Sequence, residues 1–187
     1  MTSKGNTGTP RQVPVRVLTT RTRIAALALA SLLVLAACGG ASSGGAASVD
    51  TSNGTPSFTA QTLDGGRLAS ASFKGKPTVL WFWAPWCTIC RAEAPDVVKV
   101  AAQMKSKVTF VGVAGRGQVP AMRQFVQQTN TGGFTHVVDG DGSIWSAYGV
   151  AAQPAFAFID ARGNVTVSIG SLDHDTLITR LQSLVAT

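Results

Sequence analysis

Between Lys76 and Met104 the chain passes from one hydrophobic period straight into another, and this constrains its fold more than any other feature. Thr78-Val79-Leu80-Trp81-Phe82-Trp83 is an unbroken β-branched and aromatic run, the pattern of a strand covered on both faces. After Pro85 the apolar residues fall at Ile89, Ala92, Val97, Val100, Ala101 and Met104. That spacing is helical, with Pro95 expected to kink the helix. A strand buried on both sides needs packed layers above and below it, which favours an α/β architecture.

The remaining punctuation extends the pattern. Phe58, Ala60 and Leu63 alternate ahead of Asp64-Gly65-Gly66, so a short hairpin opens the domain. Val108 to Val113 reads as a second buried strand. Pro120 opens a helix with Met122, Phe125 and Val126 on its apolar face, and Ser143 to Tyr148 reads as a short helix ending at Gly149. Phe156-Ala157-Phe158-Ile159 and Val165 to Ile169 flank a turn at Asp160–Asn164. Leu177, Ile178, Leu181, Leu184 and Val185 form the stripe of a last helix, with Asp173 and Asp175 at its positive end. From the first buried strand onward the order reads β-α-β-α-(α)-β-β-α, a mixed sheet with helices on both faces.

Charge alone would suggest a nucleic-acid binder, with 16 Lys+Arg against 9 Asp+Glu in 187 residues. Five of those cations, Lys4, Arg11, Arg16, Arg21 and Arg23, lie in the acid-free first 23 positions, leaving 11 basic against 9 acidic residues elsewhere. The basic balance belongs to a leader, and no nucleic-acid partner is expected. Ile24 to Ala37 is uncharged and mostly apolar but shorter than the roughly 20 residues a spanning helix needs, so it fits a secretory signal. Arg21-Thr22-Arg23 is not a twin-arginine pair, which points to general secretion. Leu35-Ala36-Ala37-Cys38 resembles the lipobox of bacterial lipoproteins, whose cysteine is diacylated and becomes the new N-terminus. Two chains on one residue hold a membrane stably where one does not. A plain signal peptide with an incidental cysteine, or an uncleaved anchor, is the alternative. The expected organisation is a signal peptide over 1–37, a lipidated Cys38 with a flexible Gly/Ser/Ala-rich tether over 38–56, and one domain over 57–187.

Chemistry concentrates at Trp86-Cys87-Thr88-Ile89-Cys90. With Cys38 taken by lipid, two cysteines remain, three positions apart, where a buried strand meets a helix. That context separates a redox CxxC from a zinc half-site. Cys87 falls at the helix N-terminus, where unpaired N–H groups and the dipole favour a thiolate. Cys90, one turn in, is shielded and positioned to resolve a mixed disulfide. Two other readings compete. A structural disulfide closing so short a loop would restrain the unfolded chain little. A structural zinc site needs about four ligands, and only His136 and His174 remain as nitrogen donors, neither in a paired spacing. No metal and no cofactor are expected.

From Trp81 through Pro95 (WFWAPWCTICRAEAP) the sequence is similar to the active-site segment of TlpA/DsbE-type thioredoxin-fold proteins. Within them it is most similar to the secreted or lipid-anchored DsbE/DsbF-like group of Gram-positive bacteria. The resemblance continues through Val108–Val113 and Tyr148–Phe156 and spans nearly all of 57–187. It implies a thioredoxin-like fold, a central mixed sheet flanked by helices with an N-terminal hairpin, and thiol–disulfide exchange with proteins outside the cytoplasm. It also implies that Gln153-Pro154 is a cis-proline loop facing the CxxC and pairing with substrate. Glu93 matches an acidic residue able to relay the Cys90 proton; its other reading is an acid favourably placed early in a helix. Two departures stand out. Thioredoxin's buried Asp, six residues before the first cysteine, is Trp81 here. The Thr or Ser that peroxide-reducing relatives carry three residues ahead of their reactive cysteine is Ala84.

Trp86 is a candidate for lining a substrate groove, whereas Trp83, Trp145 and Tyr148 read as core. His136 precedes an apolar pair and reads as an edge-strand residue, and His174 as a solvated helix start. Lys74 and Lys76 are surface charge around a turn. The expected activity is disulfide formation in exported proteins by a monomer, with Cys87 attacking, Cys90 resolving and an unknown membrane redox partner. A reductant of haem-site cysteines in cytochrome c maturation is one alternative. A non-catalytic binding lipoprotein with a structural Cys87–Cys90 bond is the other.

Overall fold

The computed structural model describes residues 48–50 and 54–187; the expected signal peptide over 1–37 and Cys38 lie outside the described residues. Among the described residues, eight strands and four α-helices follow one another as β1 (Ser48–Asp50), β2 (Ser57–Gln61), β3 (Arg67–Ala69), β4 (Thr78–Trp83), α1 (Thr88–Met104), β5 (Thr109–Gly115), α2 (Val119–Thr129), β6 (Thr135–Asp139), α3 (Ser143–Ala147), β7 (Ala155–Ile159), β8 (Val165–Ile169) and α4 (His174–Val185). The central sheet has the order β6-β5-β4-β7-β8. β4, β5 and β6 run parallel, while β7 is antiparallel to β4 and β8 to β7. A smaller antiparallel sheet, β1-β2-β3, joins it through a Thr62–Val137 bridge and the Leu63 N–H donating to His136 O.

Strand β4 explains the unbroken apolar run. All its side chains are fully buried, and alternate ones serve different cores. Val79, Trp81 and Trp83 pack with Val97 and Val100 of α1, Met122 and Phe125 of α2, and Leu177 and Leu181 of α4. Leu80 and Phe82 pack with Ile144 and Trp145 of α3, and with Phe58 and Phe73 beside the hairpin. Each such side chain contributes about 1.5–3 kcal/mol on burial, which fixes β4 at the centre. On α1, that packing also outweighs the hydrogen bond Pro95 cannot donate, and the helix passes through Pro95 as one element. Asp173 caps α4, its Oδ1 accepting from the Thr176 N–H at 2.8 Å.

Three expectations need correction. The order expected from the sequence lacks β6, although His136 reads as an edge-strand residue. Glycines flank its short Thr-His-Val-Val-Asp stretch, and only pairing with β5 makes it a strand. β1 lies inside the stretch read as a tether, because main-chain pairing with β2 needs no apolar side chain to announce it. Thr55 Oγ1 also donates to Gly163 O, and Tyr148 Oη to Pro56 O, so domain packing includes residues ahead of Ser57. Val185, expected in the α4 stripe, is instead exposed at the last residue of the helix, while its neighbour Leu184 packs against the core.

Candidate active site

The site begins where β4 ends. The turn Ala84-Pro85-Trp86 closes through the Cys87 N–H donating to Ala84 O at 3.1 Å, and Cys87 is the N-cap of α1. Its Sγ accepts from the Cys90 N–H at 3.0 Å, so a sulfur occupies the place an oxygen usually takes at a helix start. Cys87 and Cys90 are joined in a disulfide. Cys90 is fully buried and Cys87 is 5% exposed. Cys87, although at the helix start, is therefore nearly covered in this disulfide-bonded form. The asymmetry between the two has the expected sense. On either side Trp86 and Ile89 are both more than half exposed, an apolar surface around the pair.

Arg116, which the sequence reading did not single out, joins this surface to the second loop. The Trp86 Nε1–H donates to Arg116 O at 2.7 Å, and Arg116 donates through Nη2 to Ala151 O at 2.8 Å and through Nη1 to Gln153 Oε1 at 3.4 Å. Gln153–Pro154 is a cis peptide bond, and Pro154 is buried. Trp86 and Gln153, far apart in sequence, thus share one neighbour. Arg116 has φ 53°, a left-handed conformation uncommon for a residue with a side chain. The available signal was Gly115-Arg116-Gly117. A Cβ at Gly115 would lie 2.7 Å from the Trp145 ring, and one at Gly117 would strike Pro85.

Beneath the pair, Glu93 points inward from α1 and is almost fully buried. Its Oε1 accepts from Trp81 Nε1–H at 2.7 Å, and its Oε2 from the Ser171 hydroxyl at 2.7 Å and the Leu172 N–H at 3.3 Å. Burial raises its pKa above the ordinary 4.5, against the opposing pull of those hydrogen bonds. Trp81 stands where thioredoxin carries its acid, and its indole holds an acid supplied by the helix instead.

Together these features describe a strand–turn–helix CxxC site, and residues 52–168 match the profile of the AhpC/TSA family. The chain belongs to that family. Within this AhpC/TSA-family protein, 130 residues are 47% identical to the soluble secreted antigen MPT53 of Mycobacterium tuberculosis and Mycobacterium bovis, covering 68% of this chain and 74% of theirs. A solved structure of M. tuberculosis dsbF in mixed oxidised and reduced forms is 52% identical, with a TM-score of 0.66 over 68% of this chain and 94% of that one. A secreted M. tuberculosis disulfide oxidoreductase, described as homologous to E. coli DsbE, is 47% identical, with a TM-score of 0.64 over 68% and 96%. The AhpC/TSA-family chain is accordingly a DsbE-like thiol–disulfide oxidoreductase of thioredoxin-like fold, carrying the Cys87–Cys90 pair. That tells against a binding lipoprotein with a merely structural bond.

The core readings of Trp83, Trp145 and Tyr148 hold, all three being buried in this AhpC/TSA-family domain. His136 is on the edge strand but is only 4% exposed. Its Nδ1 accepts from Trp83 Nε1–H at 3.2 Å, which leaves Nε2–H to donate to Thr131 O at 2.9 Å. Burial lowers its pKa from 6.5 to about 4, the Thr131 contact acting the other way. His174 lies at the start of α4, half-buried between Asp175 and Gln103. Among the described residues no group of His, Cys, Asp and Glu is placed to hold a metal ion.

Proposed function

We propose that this oxidoreductase works outside the cytoplasm and forms disulfides in exported proteins. In the oxidising direction a client thiolate attacks Cys87 Sγ, the Cys87–Cys90 bond breaks, and Cys90 leaves as a thiolate that takes up a proton. A second client thiolate then attacks the client sulfur of the mixed disulfide and releases Cys87 as a thiolate. The client loses two electrons, and the protein gains them until a membrane redox partner removes them. The observation carrying this reading is the position of Cys87 Sγ as the N-cap acceptor of α1. There the helix dipole and the Cys90 N–H stabilise the thiolate leaving group, and so the reduced protein.

Glu93, one turn along from Cys90 and held above its ordinary pKa by burial, is the proposed acceptor or donor of the Cys90 proton. Trp86, Gln153 and Pro154 are the proposed client contacts. Export is supported by the apolar segment over 24–37 and by relatives described as secreted. Diacylation of Cys38 is the proposed anchor.

The reduction potential tests the direction. A value between about −120 and −180 mV fits an oxidant, and one below about −250 mV would reverse the assignment to a reductant. Cys90→Ala should accumulate mixed disulfides through Cys87 in cells, and their absence would count against the mechanism.

A further inference from the structure

Two guanidinium groups border the CxxC surface, and the thiol chemistry uses neither. Arg116 donates to Ala151 O and lies over the Trp145 ring, 4.9 Å from its centroid. Arg91 donates to Pro85 O at 3.4 Å and to Gln128 Oε1 at 3.0 Å, and lies over the Phe125 ring at the same 4.9 Å. Both side chains are exposed, and neither has a carboxylate partner among the described residues. The turn and first helical residues over 84–91, with the segments 115–118 and 149–154, contain these two cations and no acid.

We propose that Arg116, with Arg91 in support, selects client segments that carry acidic side chains beside the reacting cysteine. The inference rests on the exchange chemistry proposed above and names the client it prefers. Arg116 is the stronger determinant, because its carbonyl holds Trp86 and its guanidinium holds the Gln153 loop, so its charge sits between the proposed client contacts. The ring beneath it and two hydrogen bonds fix the group before a client arrives, so little side-chain freedom is lost on binding. Its left-handed backbone is an uncommon conformation that persists where the surroundings hold it, a feature that clusters at ligand-contacting segments. The exposed Trp86 and Ile89 supply apolar contact for the same segment, leaving charge to discriminate among clients.

The test uses reduced dithiol peptides of one sequence, flanked by Asp, Gln or Lys, oxidised by the full-length protein. Each rate is divided by that peptide's rate with an uncharged aromatic disulfide, which removes the effect of flanking charge on the peptide's own thiols. The wild type should favour the Asp over the Lys peptide by about three- to tenfold at low salt, falling toward parity at high salt. Arg116→Asn, which suits the left-handed backbone, should bring the ratio close to one, and Arg116→Lys should retain most of it. Arg91→Gln should lower it less. A wild-type ratio of one, a ratio unchanged in Arg116→Asn, or loss of the ratio in Arg116→Lys with an unaltered melting temperature would overturn the proposal. The last outcome would leave Arg116 as a structural clamp. Turnover of the Gln peptide reports on the exchange chemistry alone, and its absence would remove both readings together.

Discussion

Acidification should weaken this protein through one buried imidazole. His136 is neutral in the fold, accepting from Trp83 and donating to Thr131. A second proton would put two donors face to face at Nδ1 and charge a ring that water barely reaches. Its pKa of about 4, against an ordinary 6.5, means that between these values the unfolded chain binds a proton the native chain does not. Stability therefore falls as pH falls, by up to about 1.4 kcal/mol per pH unit and about 3 kcal/mol in all once pH reaches the folded value. Glu93 and Asp139 act oppositely: both are buried with raised pKa values, so the native state binds their protons more tightly and gains stability on acidification above about pH 4. The total curve thus mixes the two signs, and a variant isolates the histidine. His136→Asn can still accept the Trp83 N–H through Oδ1 but has nothing to titrate. Urea unfolding of both oxidised proteins, at steps from about pH 7.5 to about pH 4.5, gives the stability difference at each pH. The wild type should lead near neutrality by about 1–3 kcal/mol, the size of a lost buried hydrogen bond and a small cavity. That lead should shrink on acidification and vanish or reverse near pH 4.5. A constant difference, or a His136 NMR titration midpoint near 6.5, would refute the reasoning.

Other consequences follow from particular contacts. Trp81→Phe removes a donor from the buried Glu93, which should cost about 1.5–3 kcal/mol at neutral pH, less at low pH, and raise the Glu93 pKa further; denaturant melts at two pH values check this. Glu93→Gln should slow exchange and flatten the pH dependence of the rate, measured with a model dithiol; an unchanged pH profile would leave Glu93 a structural acceptor only. Gly112→Ala would drive a methyl into the His136 ring and should lower the melting temperature sharply, whereas Gly133→Ala, with open space around its Cβ, should change it little. Asp173→Ala should cost about 1 kcal/mol through the lost α4 cap and leave the exchange rate unaltered.

Much of the fold was legible because it is written in local periods. The β4 run, the α1 stripe and the β7–β8 hairpin each carry their own hydrophobic pattern, and the CxxC sits at a junction that the pattern change marks. β6 and β1 were not legible in the same way. Their strand character comes from backbone pairing with β5 and β2, which leaves little imprint on side-chain choice. His136 illustrates the same limit, since nothing beside it in sequence announces that Trp83 and Thr131 will enclose it.

The sequence by itself determined where the redox pair lies: two sulfurs three residues apart where a buried strand meets a helix start, the second sulfur one turn inside the helix. These are consequences of spacing along one chain, and a helical or extended period carries them without knowledge of neighbours. Only the tertiary structure decided what surrounds those atoms. Trp81 meets Glu93, Trp83 meets His136, and Arg116 links Trp86 to Gln153 because the sheet order brings the ends of β4, β5 and β7 to one edge. Contacts between residues far apart in sequence depend on the packing of whole layers, and no local pattern encodes them.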